Sequence, residues 1–124
     1  MMQNPLDRRR VLVVEDDYIT AFDLKAELEN TGVEVVGPVP DLTDAMDLVA
    51  RGPAPDAAIL DINLGGEMVF PLADRLRERR IPFVFATGYE CSSIPEPYAR
   101  HPCLEKPLDM RRLARALAGL QVEE

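Results

Sequence analysis

Residues 57–64 read Ala57-Ala-Ile-Leu-Asp61-Ile-Asn63-Leu64: four apolar residues, then a carboxylate at the end of the run. Short, unalternated apolar runs suit strands covered on both faces, as in a parallel sheet. Three more runs have this form: Val11–Val14, Val33–Val36 and Phe83–Ala86. Cys103–Leu104 is a fifth, weaker candidate.

Helical spacing fills the intervals. Ala21, Leu24 and Leu28 share one stripe between Asp17 and Thr31, with Gly32 as a stop. Leu42, Ala45, Met46 and Val49 follow i, i+3, i+4, i+7, with Asp41 as a cap and Gly52-Pro53 as a stop. Val69, Leu72, Ala73 and Leu76 repeat the pattern, as do Met110, Leu113, Ala114 and Leu117 behind Asp109. These stripes read as core-facing. The segment Glu90–Arg100 breaks the rhythm, because Pro95 and Pro97 remove donors and disfavour helix before them. A short or irregular fourth helix is expected there. Strand–helix alternation repeated five times predicts an α/β doubly wound parallel sheet with right-handed crossovers.

Composition fits one domain. The chain has 124 residues, 47% of them hydrophobic and 29% charged, in the globular range. The expected division is an N-terminal tail over 1–9 and one domain over 10–124. A net charge of −8 argues against nucleic acid as the main partner. No apolar run approaches the ~18 residues that span a bilayer, and no signal-peptide pattern opens the chain, so no membrane is expected. With Cys91 and Cys103 too few for a zinc site, the expectation is a reduced, cytoplasmic domain. Cys91 reads as a solvent-side thiol and His101 as an exposed loop residue. Arg111, Arg112 and Arg115 read as a solvated helix face.

In sheets of this class, ligands sit at the carboxyl ends of the strands. The first strand runs into Glu15-Asp16-Asp17, the third into Asp61 and then Asn63, the fourth into Thr87-Gly88 and the fifth into Lys106-Pro107. Asp17 reads as a helix cap. The remaining acids need a cation or raised pKa values. Oxygen ligands with room for water suit Mg²⁺. A carboxylate flanked by Mg²⁺, an ammonium and a hydroxyl is built to receive a phosphoryl group, as a nucleophile of the aspartyl-phosphate kind. Dinucleotide, P-loop and Ser-triad motifs are absent.

Together VLVVEDD, AAILDINL, FATGY and EKP resemble the receiver domain of two-component response regulators from about Arg10 to Leu120. The resemblance implies a flavodoxin-like (β/α)5 fold with strand order 2-1-3-4-5. It implies Asp61 as phosphoacceptor and Asp16, Asp61, Glu15 and the Asn63 carbonyl around Mg²⁺. Thr87 and Lys106 would hold phosphoryl oxygens. PFVFATGYE is similar, in part, to a subfamily named for a Phe-Ala-Thr-Gly-aliphatic-Tyr motif. It lacks the aliphatic residue between Gly88 and Tyr89. Such receivers often stand alone and occur with histidine kinases of the HWE type.

Gly65-Gly66 replaces a common Met-Pro, and Cys103 stands where many receivers carry a switching aromatic. The expected function is a single-domain response regulator, a signalling protein rather than an enzyme. It would take phosphate from a sensor histidine kinase and signal to a downstream protein partner or phosphotransfer protein. One alternative is a degenerate receiver that binds partners without phosphorylation. A haloacid-dehalogenase-type phosphatase is disfavoured, because Asn63 stands where its second acid is needed.

Overall fold

The computed structural model describes residues 8–120. Of the expected tail and domain, residues 1–7 and 121–124 lie outside the described residues. Five parallel strands form the central sheet in the order β2-β1-β3-β6-β7. They are β1 (Arg10–Val14), β2 (Glu34–Val39), β3 (Ala57–Asp61), β6 (Phe83–Thr87) and β7 (Cys103–Glu105). Counting only these strands, the order is the expected 2-1-3-4-5. A two-residue antiparallel pair, β4 (Asn63–Leu64) with β5 (Glu67–Met68), closes the loop after Asp61. The helices are α1 (Tyr18–Asn30), α2 (Leu42–Arg51), α3 (Phe70–Glu78) and α4 (Met110–Ala118).

Alternating side chains build a core on each face of the sheet. Val11, Val13, Ile59 and Val84 pack with Leu24 and Leu28 of α1 and Leu113 and Leu117 of α4. Leu12, Val14, Leu60, Phe83 and Phe85 pack with Ala45 and Val49 of α2 and Leu72 and Leu76 of α3. Both faces of the central strands are therefore dry. This is why their sequences read as continuous apolar runs.

The caps follow the sequence. Asp17 accepts from the Ile19 and Thr20 amides, Asp41 from Asp44 and Asp109 from Arg111. Each satisfies a free amide of a first helical turn. Helix α3 has no such side-chain cap and instead carries a proline in its first turn.

The strand expected at Val33–Val36 runs instead over Glu34–Val39, through Gly37 and Pro38. Pro38 is tolerated because β2 is an edge strand. The β1–β2 register shifts between Leu12 and Val14. Gly37 sits nearby at φ +96°, where an added Cβ would meet the Val39 nitrogen at 2.8 Å.

In place of a fourth helix, two single 3₁₀ turns span Cys91–Ser93 and Tyr98–Arg100. Ile94 is buried between them. Tyr98 stacks on Phe70 with ring centres 4.4 Å apart and donates its hydroxyl to Asp74 at 2.8 Å. Two expectations are corrected here. His101 is half-buried and stacks on Phe83 at 4.3 Å, so it is not an exposed loop residue. Cys91 is not a free thiol: it is disulfide-bonded to Cys103 across twelve positions. The expectation of a fully reduced domain missed this pairing. Nothing in the spacing of two cysteines shows that an irregular segment folds back onto the last strand.

Candidate functional site

The carboxyl ends of β1, β3, β6 and β7 meet on one rim. Parallel pairing sets their heights: Val14 lies beside Leu60, Asp61 beside Ala86 and Thr87 beside Glu105. The residue after each strand end therefore falls at a similar level. Glu15, Asp16, Asp61, Thr87 and Lys106 all gather there.

Glu15 and Asp61 are buried and Asp16 is exposed. One carboxylate oxygen from each lies within 4.8 Å of the other two. Two unit charges at that distance repel by roughly 3 kcal/mol at an effective dielectric of 20. Lys106 relieves part of this. Its ammonium donates to Glu15 Oε1 at 2.5 Å and to Asp61 Oδ2 at 3.2 Å. One cation against three carboxylates leaves the rim negative.

The titration behaviour follows. Burial, then the hydrogen bond to Asp61, pushes Glu15 up to about 7, although Lys106 and the Asp17 amide oppose this. For Lys106, burial works against its charge, but Glu15 and Asp61 prevail and the pKa rises. For Asp16, burial raises the pKa, but hydrogen bonds with Glu15, Asp61 and the Gly65 amide prevail and lower it. An oxygen-only donor set with a protonatable acid and an open side suits a hard divalent cation that keeps several waters.

Asn63 stands beside the acids. Its amide donates to Asp61 Oδ1 at 3.3 Å, and its side-chain oxygen accepts from the Gly66 amide at 2.7 Å. Asp16, Asp61, Asn63, Gly65, Tyr89 and Lys106 line one shallow cleft. Thr87 is buried, and its hydroxyl accepts from the Tyr89 amide at 3.0 Å.

The structure thus brings Glu15, Asp16, Asp61, Asn63 and Lys106 together, with Thr87 on the same rim. The sequence reading missed Gly65 as a participant. Its amide donates to Asp16 Oδ2 at 2.9 Å and ties the loop after Asp61 to the end of β1. Gly65 and Gly66 lie at φ +63° and +100°, so the Gly-Gly pair serves this turn. The only signal was the pair itself.

A family model for the response regulator receiver domain matches residues 11–118. The sensory transduction protein LytT of Bacillus subtilis strain 168 is 30% identical over 112 residues, 87% of this chain and 46% of its own. LytT of Bacillus anthracis is 36% identical over 84 residues, 65% of this chain and 34% of its own. The chain thus spans between a third and a half of the length of these curated relatives. Among solved structures, SdrG from Sphingomonas melonis Fr1 matches with a TM-score of 0.78 at 41% identity, over 94% of this chain and 97% of that one. The BeF3-activated conformation of SdrG matches at 0.75 and 39% identity.

Proposed function

This chain belongs to the response regulator receiver family, and we propose that it accepts a phosphoryl group on Asp61 from the phosphohistidine of a sensor kinase. A single observation carries the reading. Asp61 is a buried carboxylate at the end of the central strand β3, shares its rim with two further acids and accepts from the Lys106 ammonium at 3.2 Å. That environment gives a nucleophilic oxygen, a place for a divalent cation and a fixed positive charge for the incoming phosphate.

In this reading, an Asp61 oxygen attacks phosphorus in line and the histidine nitrogen departs. Glu15, Asp16, Asp61 and the Asn63 carbonyl would hold Mg²⁺, which supplies charge neutralisation for the transferred oxygens. Burial makes Glu15 reluctant to ionise alone, and it orders water on the metal side of the rim. The Lys106 ammonium holds one phosphoryl oxygen and the Thr87 hydroxyl another. The product shifts a two-state equilibrium in the surface that follows Thr87. The activated conformation solved for SdrG supports such a second state.

The output goes to a protein partner or to a phosphotransfer protein, in the cytoplasm where such kinases present their phosphohistidines. An HWE-type kinase is the proposed donor class. No helix among the described residues is long and apolar enough to cross a membrane.

Incubation with a small phosphodonor and Mg²⁺, followed by intact-mass measurement, tests the proposal. A persistent single phosphoryl adduct supports it. Sustained phosphate release without an adduct identifies a phosphatase, and no reaction identifies a degenerate, phosphorylation-independent receiver.

A further inference from the structure

The disulfide joins two places that matter to the proposed switch. Cys91 opens the irregular segment four residues after Thr87, and Cys103 begins β7 three residues before Lys106. Strand β7 is a three-residue edge strand paired only with β6. The Cys91 amide also donates to Glu105 Oε2 at 3.1 Å. Residues 92–102 thus form a loop whose two ends are locked together on the edge of the sheet.

Within that loop the backbone makes few hydrogen bonds. Ile94, Ala99 and His101 donate only to neighbours within the segment, at Cys91, Pro95 and Tyr98. Its attachments to the rest of the fold include the buried Ile94, the Tyr98 stack on Phe70 and hydroxyl bond to Asp74, the His101 stack on Phe83, and the Pro102 carbonyl, which accepts from the Phe85 amide at 2.8 Å. The start of the segment is tied to β7 by the covalent link and by the Cys91 amide bond to Glu105.

Both cysteines are partly exposed; Cys103 also packs against the core, and Cys91 opens the surface segment, which makes it the end of the bond open to attack. In reducing compartments, disulfides are characteristically transient and redox-sensing rather than structural. From these observations, and resting on the proposed phosphorelay role for the compartment, we propose that Cys91–Cys103 is a thiol–disulfide exchange site. Its opening by a dithiol reductant releases residues 91–102 from the β7 edge.

The chemistry balances with the reductant as co-substrate. A reductant thiolate attacks the Cys91 Sγ, the Sγ–Sγ bond breaks, and Cys103 leaves as thiolate. The reductant's second thiol then displaces Cys91. Two electrons pass to the protein, two protons end on Cys91 and Cys103, and the reductant leaves as its own disulfide. Asp61, Asp16 and Lys106 take no part. The redox state therefore acts on the surface beyond Thr87 without any chemistry at Asp61.

The test uses the whole chain, folded, equilibrated in mixtures of reduced and oxidised glutathione, in which two glutathione thiols act in turn in place of the dithiol and leave as glutathione disulfide. Free thiols are then alkylated and counted by intact mass. The disulfide fraction should change from mostly closed to mostly open across these mixtures. Amide exchange in 91–102 should rise by roughly tenfold or more on opening, while Ala57–Asp61 stays protected. Cys91→Ser and Cys103→Ser should each reproduce the fast-exchanging loop without any reductant. A bond that stays closed in the reducing mixture overturns the proposal, as does one that never forms in the oxidising mixture. Unchanged exchange after opening overturns it too. The thiol count does not depend on phosphorylation, so a chain that opens its disulfide but takes no phosphate refutes the receiver chemistry alone.

Discussion

Lys106, on the loop after the edge strand, donates its ammonium to the Asp61 carboxylate at the end of the central strand, 45 positions earlier in the chain, at 3.2 Å. The same ammonium reaches Glu15. It is the positive member of an otherwise acidic rim, so its removal leaves buried charge uncompensated. Breaking a buried pair this way costs several kcal/mol, and partial exposure of Lys106 reduces that figure. Lys106→Met should therefore destabilise the metal-free protein by about 1–3 kcal/mol. It should also slow phosphorylation of Asp61. Urea unfolding in a chelator measures the first effect and phosphodonor kinetics the second. Unchanged values for both would remove Lys106 from the site.

Asp61→Asn keeps the shape of the rim and removes the proposed nucleophile. The variant should fold, keep the Asn63 contact in amide form and take up no phosphoryl group. Intact mass after phosphodonor treatment reads this directly. A full adduct on the variant would place the acceptor elsewhere.

If the three-acid cluster holds Mg²⁺ as proposed, stability depends on that metal. A cation that binds the folded state alone stabilises it by mass action, about 1.4 kcal/mol at ten times its dissociation constant. The melting temperature should rise with Mg²⁺. Asp16→Ala should blunt that rise, since it removes a proposed ligand and the anchor for the Gly65 amide. A parent protein whose melting temperature ignores Mg²⁺ would speak against the site.

Glu15 gives the metal-free protein a pH dependence. Its folded pKa is raised to about 7 from 4.5, chiefly by burial. Between those values the unfolded chain has lost the proton and the folded chain keeps it. The contribution is therefore fully present below pH 4.5 and is lost as pH rises through 7. From pH 5 to pH 8, stability in a chelator should fall by roughly 2 kcal/mol more than in Glu15→Gln. The lowered Asp16 acts in the opposite sense, but below this window. Saturating Mg²⁺ favours the charged carboxylate and should flatten the slope. A parent and a Glu15→Gln variant with identical pH profiles would contradict the assignment.

How much of this was legible in the sequence depends on the range of the forces involved. Apolar runs and helix stripes report local burial, so β1, β3, β6 and the four helices were readable, three of the helices with their Asp caps. The rim residues were readable because each is placed by where its own strand ends. What escaped depended on long-range folding. The extension of β2 through Pro38 follows from its being an edge, which no local pattern states. The stacking of His101 on Phe83 and the bond between Cys91 and Cys103 both require the proline-rich segment to lie back on the sheet. Pro95 and Pro97 indicated where the helix fails, and not what the chain does instead.

Thr87 connects the site to that segment, and its chemistry supports a last prediction. A hydroxyl has one donor and two acceptor positions. One acceptor position is engaged by the Tyr89 amide at 3.0 Å, which leaves the donor available for a phosphoryl oxygen. If the hydroxyl moves to reach that oxygen, it takes the Tyr89 amide with it or loses it. Gly88 between them has open space around its Cβ position, so the turn can follow without a clash. Two residues after Tyr89 comes Cys91, bonded to β7 through Cys103. The displacement therefore has a covalent route to the edge strand as well as a path along the backbone. Beryllofluoride, as a phosphoryl mimic on Asp61, should shift the amides of Gly88 to Cys91 most, with smaller shifts at Cys103 and Leu104. Thr87→Ala should still take the phosphoryl group on Asp61 but lose the shifts at Tyr89 and beyond, and Thr87→Ser should keep them. Shifts of full size in Thr87→Ala would show that the signal leaves the site by another path, with Lys106 and its loop as the next place to look.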